Sequence, residues 1–267
     1  MSMYRDCKMN IKETTKKVIL ELTTSCNLNC KHCFYKNSDE FLSNCFIQKE
    51  EAFRLIRKFK MNGIKKLVLT GGEPTIHPDF IEIVEYAKLN IPKVTLCTNG
   101  VIGKSLMYKI IDMNFDTYTV SIDSCESANH DEFRGRCGAH AKVLLFTELL
   151  VKNKKNLSIH IALHRDNIDH INEIIDYCRK FHCEIVVGSI YYEKLDINDK
   201  IIKEYKLKID DFKNRYKNDG DIIIVGFSEF CESKNCKDQK QVFTVNCRGQ
   251  LVNCYWGRDG GKVINKY

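Results

Sequence analysis

The chain has 267 residues, 43% hydrophobic and 29% charged, with a formal net charge of +7. This composition excludes a disordered chain, and the length suits one α/β barrel domain with a small appendage rather than two full domains. No run of 18 apolar residues occurs and the first fifteen residues carry charges where a secretory signal is apolar, so a cytoplasmic protein with no membrane partner is expected.

In chain order, residues 1–16 are read as an N-terminal extension, 17–217 as a barrel domain and 218–267 as an appendage. Six β-rich runs occur in the barrel region: VILELT (18–23), KLVLTG (66–71), KVTLCT (93–98), TYTVSI (117–122), LSIHIAL (157–163) and EIVVGSI (184–190). Helices are predicted between them near 48–61, 79–89, 103–113, 138–153 and 168–181. There apolar residues recur at three and four spacing, as Ile168, Ile171, Ile174 and Ile175 do. Such alternation predicts an α/β fold, a partial (β/α)6 TIM-like barrel, with ligands gathered at the carboxyl ends of the strands. The unusual motifs fall at those ends: three cysteines after strand one, Gly71-Gly72-Glu73-Pro74 after strand two, Thr98-Asn99-Gly100 after strand three, Ser121 and Asp123 after strand four. A lysine-rich helix near 201–217 and a strand at Ile222–Val225 follow. The lysines at 152–155 and 206–217 read as solvated helix faces, with a basic surface for an acidic peptide or nucleic acid as the competing reading.

Fourteen cysteines in a chain expected to keep its thiols reduced point to metal ligation by some of them. Cys7, Cys45, Cys97, Cys125, Cys137, Cys178 and Cys183 are dispersed, and most are expected to be small core hydrophobes. The segment TTSCNLNCKHCFY gives C-x3-C-x2-C directly after a strand, which puts Cys26, Cys30 and Cys33 on one tight loop. Zinc usually takes a fourth protein ligand, whereas a 4Fe-4S cube held by three cysteines keeps one iron open for a small molecule.

These residues resemble the radical S-adenosylmethionine superfamily over about residues 17 to 190. The resemblance implies that Cys26, Cys30 and Cys33 hold a 4Fe-4S cluster that binds S-adenosyl-L-methionine, with His32 at the loop's aromatic position. It further implies that Gly71 and Gly72 allow close backbone approach and that Glu73 lies near the methionine ammonium. Ser121 and Asp123 would contact the ribose or methionine portion, and Arg134, in FRG, would pair with the methionine carboxylate. Asn99 and Asn167 also fit family positions. Taken singly, GGEP reads equally as a turn, Ser121 as a strand cap, Asp123 as a helix cap and Arg134 as half of a surface ion pair.

A second group, FCESKNCKDQKQVFTVNCRGQLVNCYWG, holds Cys231, Cys236, Cys247 and Cys254. The runs QVFTVN and QLVNCYW flank Arg248-Gly249, which reads as a hairpin with glycine at its turn. The Cys236-x12-Gly249-x4-Cys254 spacing is similar to the first half of the SPASM or twitch appendages of peptide-modifying radical enzymes. It departs from a full SPASM domain in lacking the further run of cysteines. The resemblance implies a second, auxiliary 4Fe-4S cluster on these four cysteines; a structural zinc staple and a three-ligand cluster stay open.

The expected activity is reductive cleavage of S-adenosylmethionine to a 5'-deoxyadenosyl radical that abstracts hydrogen from a substrate. A ribosomally made peptide, epimerised or cross-linked, is the first reading. A small-molecule dehydrogenase or cyclase of cofactor, sugar or nucleotide metabolism is the second, and a glycyl-radical activase the third. Candidate thiol hydrogen donors are Cys97, Cys125 and Cys247. Expected partners are a flavodoxin or ferredoxin reductant and, for a peptide substrate, a separate leader-binding protein. An iron-sulfur or zinc nucleic-acid module is the non-enzymatic alternative, though no interleaved aromatic and basic surface supports it.

Overall fold

The computed structural model describes residues 17–33, 35, 44–189, 199–225, 242–252 and 263–265. The expected N-terminal extension and Cys231, Cys236 and Cys254 lie outside the described residues. In chain order the elements begin with β1 (Lys17–Thr23), α1 (Lys49–Met61), β2 (Lys66–Gly71), α2 (Phe80–Asn90), β3 (Lys93–Thr98), α3 (Lys104–Asp112) and β4 (Thr117–Ser121). Next come α4 (Ser127–Arg134), α5 (Ala139–Lys152), β5 (Leu157–Leu163), α6 (Ile171–Arg179), β6 (Glu184–Ser189), α7 (Asp199–Tyr216) and β7 (Ile222–Val225). The chain closes with β8 (Val242–Val245), β9 (Leu251–Val252) and β10 (Val263–Asn265). Contacts divide the described residues into two compact units, one of 17–25, 44–95, 242–252 and 263–265, the other of 26–35, 96–189 and 199–225. The division falls within β3.

In the first unit the strands run β10-β9-β8-β1-β2. β1 is parallel to both β2 and β8, and β9 is antiparallel to β8 and β10. Alternation along β1 separates two faces, because successive side chains of a strand point oppositely. Val18, Leu20 and Leu22 are fully buried on one, as are Leu67 and Leu69 of β2, while Glu21 and Thr23 lie on the other. Helix α1 adds Ala52, Leu55, Ile56 and Phe59 to the core, a 3.6-period stripe. The expected hairpin is β8 and β9, joined at residues 246–250. Asn246 closes the turn: its Oδ1 accepts from Arg248 N at 3.0 Å and Gln250 N at 2.9 Å.

In the second unit β4, β5, β6 and β7 are all parallel neighbours. Tyr118, Val120, Ile159, Ile161, Ile185 and Val187 are fully buried, as are Ile110 of α3, Val143 and Phe146 of α5 and Ile175 of α6. The buried Tyr118 hydroxyl donates to Ile110 O at 3.0 Å and accepts from Phe115 N at 3.1 Å. The other face carries Ser121, in register with His160, and Ala162, in register with Gly188. This is the mixed α/β, open parallel-sheet architecture expected of a partial barrel.

Two elements differ from expectation. Helix α4 is not predicted, because SANHDEFR carries no apolar stripe and buries only His130, Phe133 and Arg134. The helix expected over 168–181 opens as a single 3-10 turn, Ile168–His170, before α6. No helix among the described residues is long and apolar enough to cross a membrane.

Candidate active site

The cysteine loop belongs to the second unit, where the end of α4 docks its backbone. Asn29 N donates to Arg134 O at 3.1 Å and Lys31 N to Phe133 O at 2.9 Å. Arg136 Nη1 donates to Asn27 O at 2.8 Å. Gly135 ends α4 at φ +66°, and a Cβ there would meet Asn29 O at 2.2 Å, so only glycine permits this approach. Cys26, Cys30 and Cys33 are half-buried. Cys26 and Cys30 pack on the apolar cluster Leu28, Val101 and Ala139.

Nitrogen donors face the sulfurs. Leu28 N and Asn99 Nδ2 donate to Cys26 Sγ at 3.4 and 3.6 Å, and Arg134 Nη1 to Cys30 Sγ at 3.9 Å. Asn99 Nδ2 also donates to Asn27 Oδ1 at 2.8 Å, Asn27 Nδ2 donates to Val101 O at 2.7 Å, and Val101 N returns to Asn99 Oδ1 at 2.8 Å. Asn99 is therefore a clamp on the loop. Donors of this kind would stabilise thiolate bound to iron. Burial pushes the Cys30 thiol above its ordinary range, with the Arg134 charge opposing it.

Asp123 and Arg134 form a buried ion pair, Arg134 Nε donating to Asp123 Oδ2 at 2.5 Å. Ala162 N donates to Asp123 Oδ1 at 2.8 Å. Burial alone would raise the Asp123 carboxyl, but the Arg134 guanidinium outweighs it and holds the carboxyl far below the usual range. Asn167 ties this corner together: its Nδ2 donates to Asp123 O at 3.2 Å and Ala162 O at 3.1 Å, and its Oδ1 accepts from His164 N at 2.8 Å. His32 stacks on Phe133 at 4.7 Å between ring centroids, and Phe133 on His164 at 3.8 Å. Burial, then the Arg134 charge, pushes His32 down to about 3, so its ring is neutral; its Nδ1 is buried without a hydrogen-bond partner. A cleft of about 380 Å³ opens beside this stack, lined by Asp123, Cys125, Phe133, His164 and Asn167 among others.

Burial likewise lowers His130 and His164 to about 4 each, with Asp123 (and, for His164, Asp166) opposing. The unfolded chain binds these protons near pH 6.5 and the folded chain does not, so stability present above pH 6.5 is lost as pH falls toward 4. The unfolding free energy of the iron-free chain should fall from pH 7 to pH 5, by up to about 1.4 kcal/mol per pH unit for each histidine, read as a falling urea midpoint. A midpoint unchanged over that interval would show that these rings are protonated in the fold.

In the first unit, the end of β2 closes against the end of β1. Gly72 N donates to Thr23 O at 2.7 Å and Glu73 N to Ser25 O at 2.9 Å. Gly71 sits at φ +138°, and a Cβ on Gly72 would lie 2.2 Å from Ser25 O. Gly72→Ala should therefore cost about 1–3 kcal/mol by forcing this backbone apart, readable as a lower thermal midpoint. Glu73 is fully buried, its Oε1 accepting from Thr75 Oγ1 at 2.6 Å and Thr75 N at 3.1 Å.

Cys97 and Cys125 are half-buried, Cys125 at the cleft. Cys247 is buried in the β8–β9 turn of the first unit. Burial and its contact with Cys45 hold its thiol well above the ordinary range. Among the dispersed cysteines Cys178 is buried as expected of a core residue, but Cys137 is exposed, because it lies in the turn between α4 and α5. The partnerships of Asn27, Phe133, His164 and Cys45 are not legible from spacing, since each partner lies far along the chain.

The donor set fits an iron-sulfur cluster: three half-buried thiols share one loop, N–H donors face Cys26 and Cys30, and three thiolates would leave one iron of a cube open, whereas zinc usually takes a fourth protein ligand.

The sequence family described as the radical SAM superfamily matches residues 20–178. A probable GTP 3',8-cyclase of Sulfurisphaera tokodaii is 26% identical over 254 residues, 89% of this chain and 80% of the relative. The subtilosin biosynthesis protein AlbA of Bacillus subtilis is 31% identical over 163 residues, 60% of this chain and 36% of the relative. The chain spans about half the length of several other curated relatives it matches, among them an AdoMet-dependent heme synthase of Methanosarcina barkeri at 48%. Among solved structures, Streptococcus suis SuiB bound to its precursor peptide SuiA superposes with a TM-score of 0.71 at 17% identity. That match covers 95% of this chain and 63% of SuiB, a likeness of fold.

Proposed function

The chain belongs to the radical SAM superfamily, and from that premise we propose that it modifies a ribosomally made peptide by hydrogen abstraction. The observation that carries the chemistry is the three-cysteine loop, with N–H donors on Cys26 and Cys30 and an apolar wall behind them. When bound, the cluster and S-adenosylmethionine supply a 5'-deoxyadenosyl radical that removes a hydrogen atom from the substrate.

The protein's share is binding, orientation and exclusion of water. Cys26, Cys30 and Cys33 hold the cluster; Asn99 and Arg134 fix the loop that carries it. In this reading Glu73 meets the methionine ammonium, Ser121 and Asp123 the ribose or methionine portion, and Arg134 the carboxylate. The neutral His32 lies within the stacked His32–Phe133–His164 face. Asn167 holds Asp123 from behind. Cys97 and Cys125 are the proposed hydrogen donors. Residues 17–217 form the catalytic barrel, and 218–267 carry an auxiliary cluster on Cys231, Cys236, Cys247 and Cys254. Electrons come from a flavodoxin or ferredoxin, and the peptide is delivered by a separate leader-binding protein.

The peptide reading draws support from the 31% identity to AlbA. A second reading, radical cyclisation of a nucleotide, draws support from the alignment to a probable GTP 3',8-cyclase over 89% of the chain. The two separate in one assay. Reduced, iron-loaded protein is given S-adenosylmethionine with either a peptide encoded beside its gene or GTP. A change in peptide mass coupled to 5'-deoxyadenosine supports the first reading, and consumption of GTP alone overturns it. Cys254→Ala is expected to lose the auxiliary iron and the product while retaining some uncoupled cleavage.

A further inference from the structure

The cleft beside the His32–Phe133–His164 stack is built entirely from residues of the second unit. Its floor is partly apolar, with Phe133 7% and Ile174 1% exposed. Its rim is acidic: Glu126, Glu132, Asp166 and Glu173 stand there against Lys31 alone among lysines and arginines, on a chain whose net charge is +7. Part of this charge is used internally, since Lys31 pairs with Glu132 and Arg165 with Asp166 at 3.1 Å. Among the described residues Glu126 makes no ion pair and Glu173 meets only the His170 ring, at 3.2 Å. These two carboxylates are left for a cation from outside.

His164, only 6% exposed, also lines the cleft. Burial keeps its ring neutral at pH 7, and its Nδ1 accepts from Asp166 N at 3.3 Å, which puts the ring proton on Nε2. That N–H has no acceptor among the described residues and is not sealed off by them, so it is a donor presented to the cleft. At about 380 Å³ the cleft stands near the small end of ligand pockets, which run from roughly 300 to 1,000 Å³, so it admits one or two residues of a chain rather than a folded partner.

We propose that this cleft takes a lysine- or arginine-bearing segment of the peptide substrate. The aliphatic stem lies on Phe133 and Ile174, the charged head reaches Glu126 and Glu173, and a peptide carbonyl accepts from His164 Nε2. The assignment rests on the peptide reading and narrows it to basic peptides, because the same rim repels a nucleoside triphosphate.

The test uses the full, iron-loaded chain anaerobically, with fluorescein-labelled tetralysine and tetraglutamate as probes and anisotropy as the readout. Tetralysine should bind and tetraglutamate should not. Glu126→Gln with Glu173→Gln should raise the tetralysine Kd about 10-fold. Removing the same charge outside the cleft, by Glu85→Gln with Glu148→Gln, should change it less than about twofold. His164→Phe, which keeps a ring in the stack, should raise it roughly fivefold. An equal loss in the two double variants would reduce the effect to net charge, and weaker S-adenosylmethionine binding by the Glu126/Glu173 variant would give the cleft to the cofactor; either result overturns the proposal. Consumption of GTP alone in the earlier assay removes the peptide reading itself, whereas lost charge discrimination here removes the cleft assignment and leaves that reading standing.

Discussion

Cys30→Ala should abolish 5'-deoxyadenosine formation, lowering it at least about 100-fold, because removing one of three thiolates leaves no anchored cluster. The variant should still fold. Cys30 is half-buried in a loop, and although its sulfur accepts from Arg134 Nη1, the backbone contacts that dock the loop through Asn27, Asn29 and Lys31 do not involve its side chain. Deoxyadenosine is measured by chromatography on anaerobically reduced protein, alongside circular dichroism to confirm the fold. Cleavage that persists at wild-type rate would remove Cys30 from the ligand set.

Asp123→Ala is expected to be the most destabilising single change in the site, by about 3–5 kcal/mol. It would leave the Arg134 guanidinium charged in a position only 8% exposed and Ala162 N without its acceptor. The attraction between the two charges does not by itself predict this size. It follows from stranding one charge in a medium that cannot solvate it. Replacing both partners by apolar residues, as in Asp123→Leu with Arg134→Met, should recover much of the loss. Urea unfolding of the two variants separates the ideas: equal destabilisation of single and double variants would mean that the pair contributes shape rather than charge balance.

The sheet was largely legible because its strands announce themselves chemically. LSIHIAL and KLVLTG are β-branched or aliphatic runs flanked by polar turns, and the observed β5 and β2 coincide with them. The hairpin at Arg248-Gly249 was legible for a similar reason, a glycine between two β-rich runs. Helix α4 was not, since its residues interact with the cysteine loop and with Asp123 rather than with an apolar layer, and periodicity sees only apolar layers. The three-cysteine loop could be read from spacing alone. What spacing hides is partnership: Asp123 and Arg134 each read as a cofactor contact, while the fold joins them to each other. Likewise Asn99 reads as a strand-end residue, but its amide grips Asn27 and the Cys26 sulfur.

The central claim is that Cys26, Cys30 and Cys33 hold an open-site 4Fe-4S cluster. Its most direct test is iron and sulfide quantification with electron paramagnetic resonance on anaerobically reconstituted protein, comparing wild type with the Cys26/Cys30/Cys33 triple alanine variant. The account predicts a wild-type signal that S-adenosylmethionine perturbs, and about eight irons falling to about four in the variant. An iron content unchanged by the triple substitution, with a signal indifferent to S-adenosylmethionine, would contradict it.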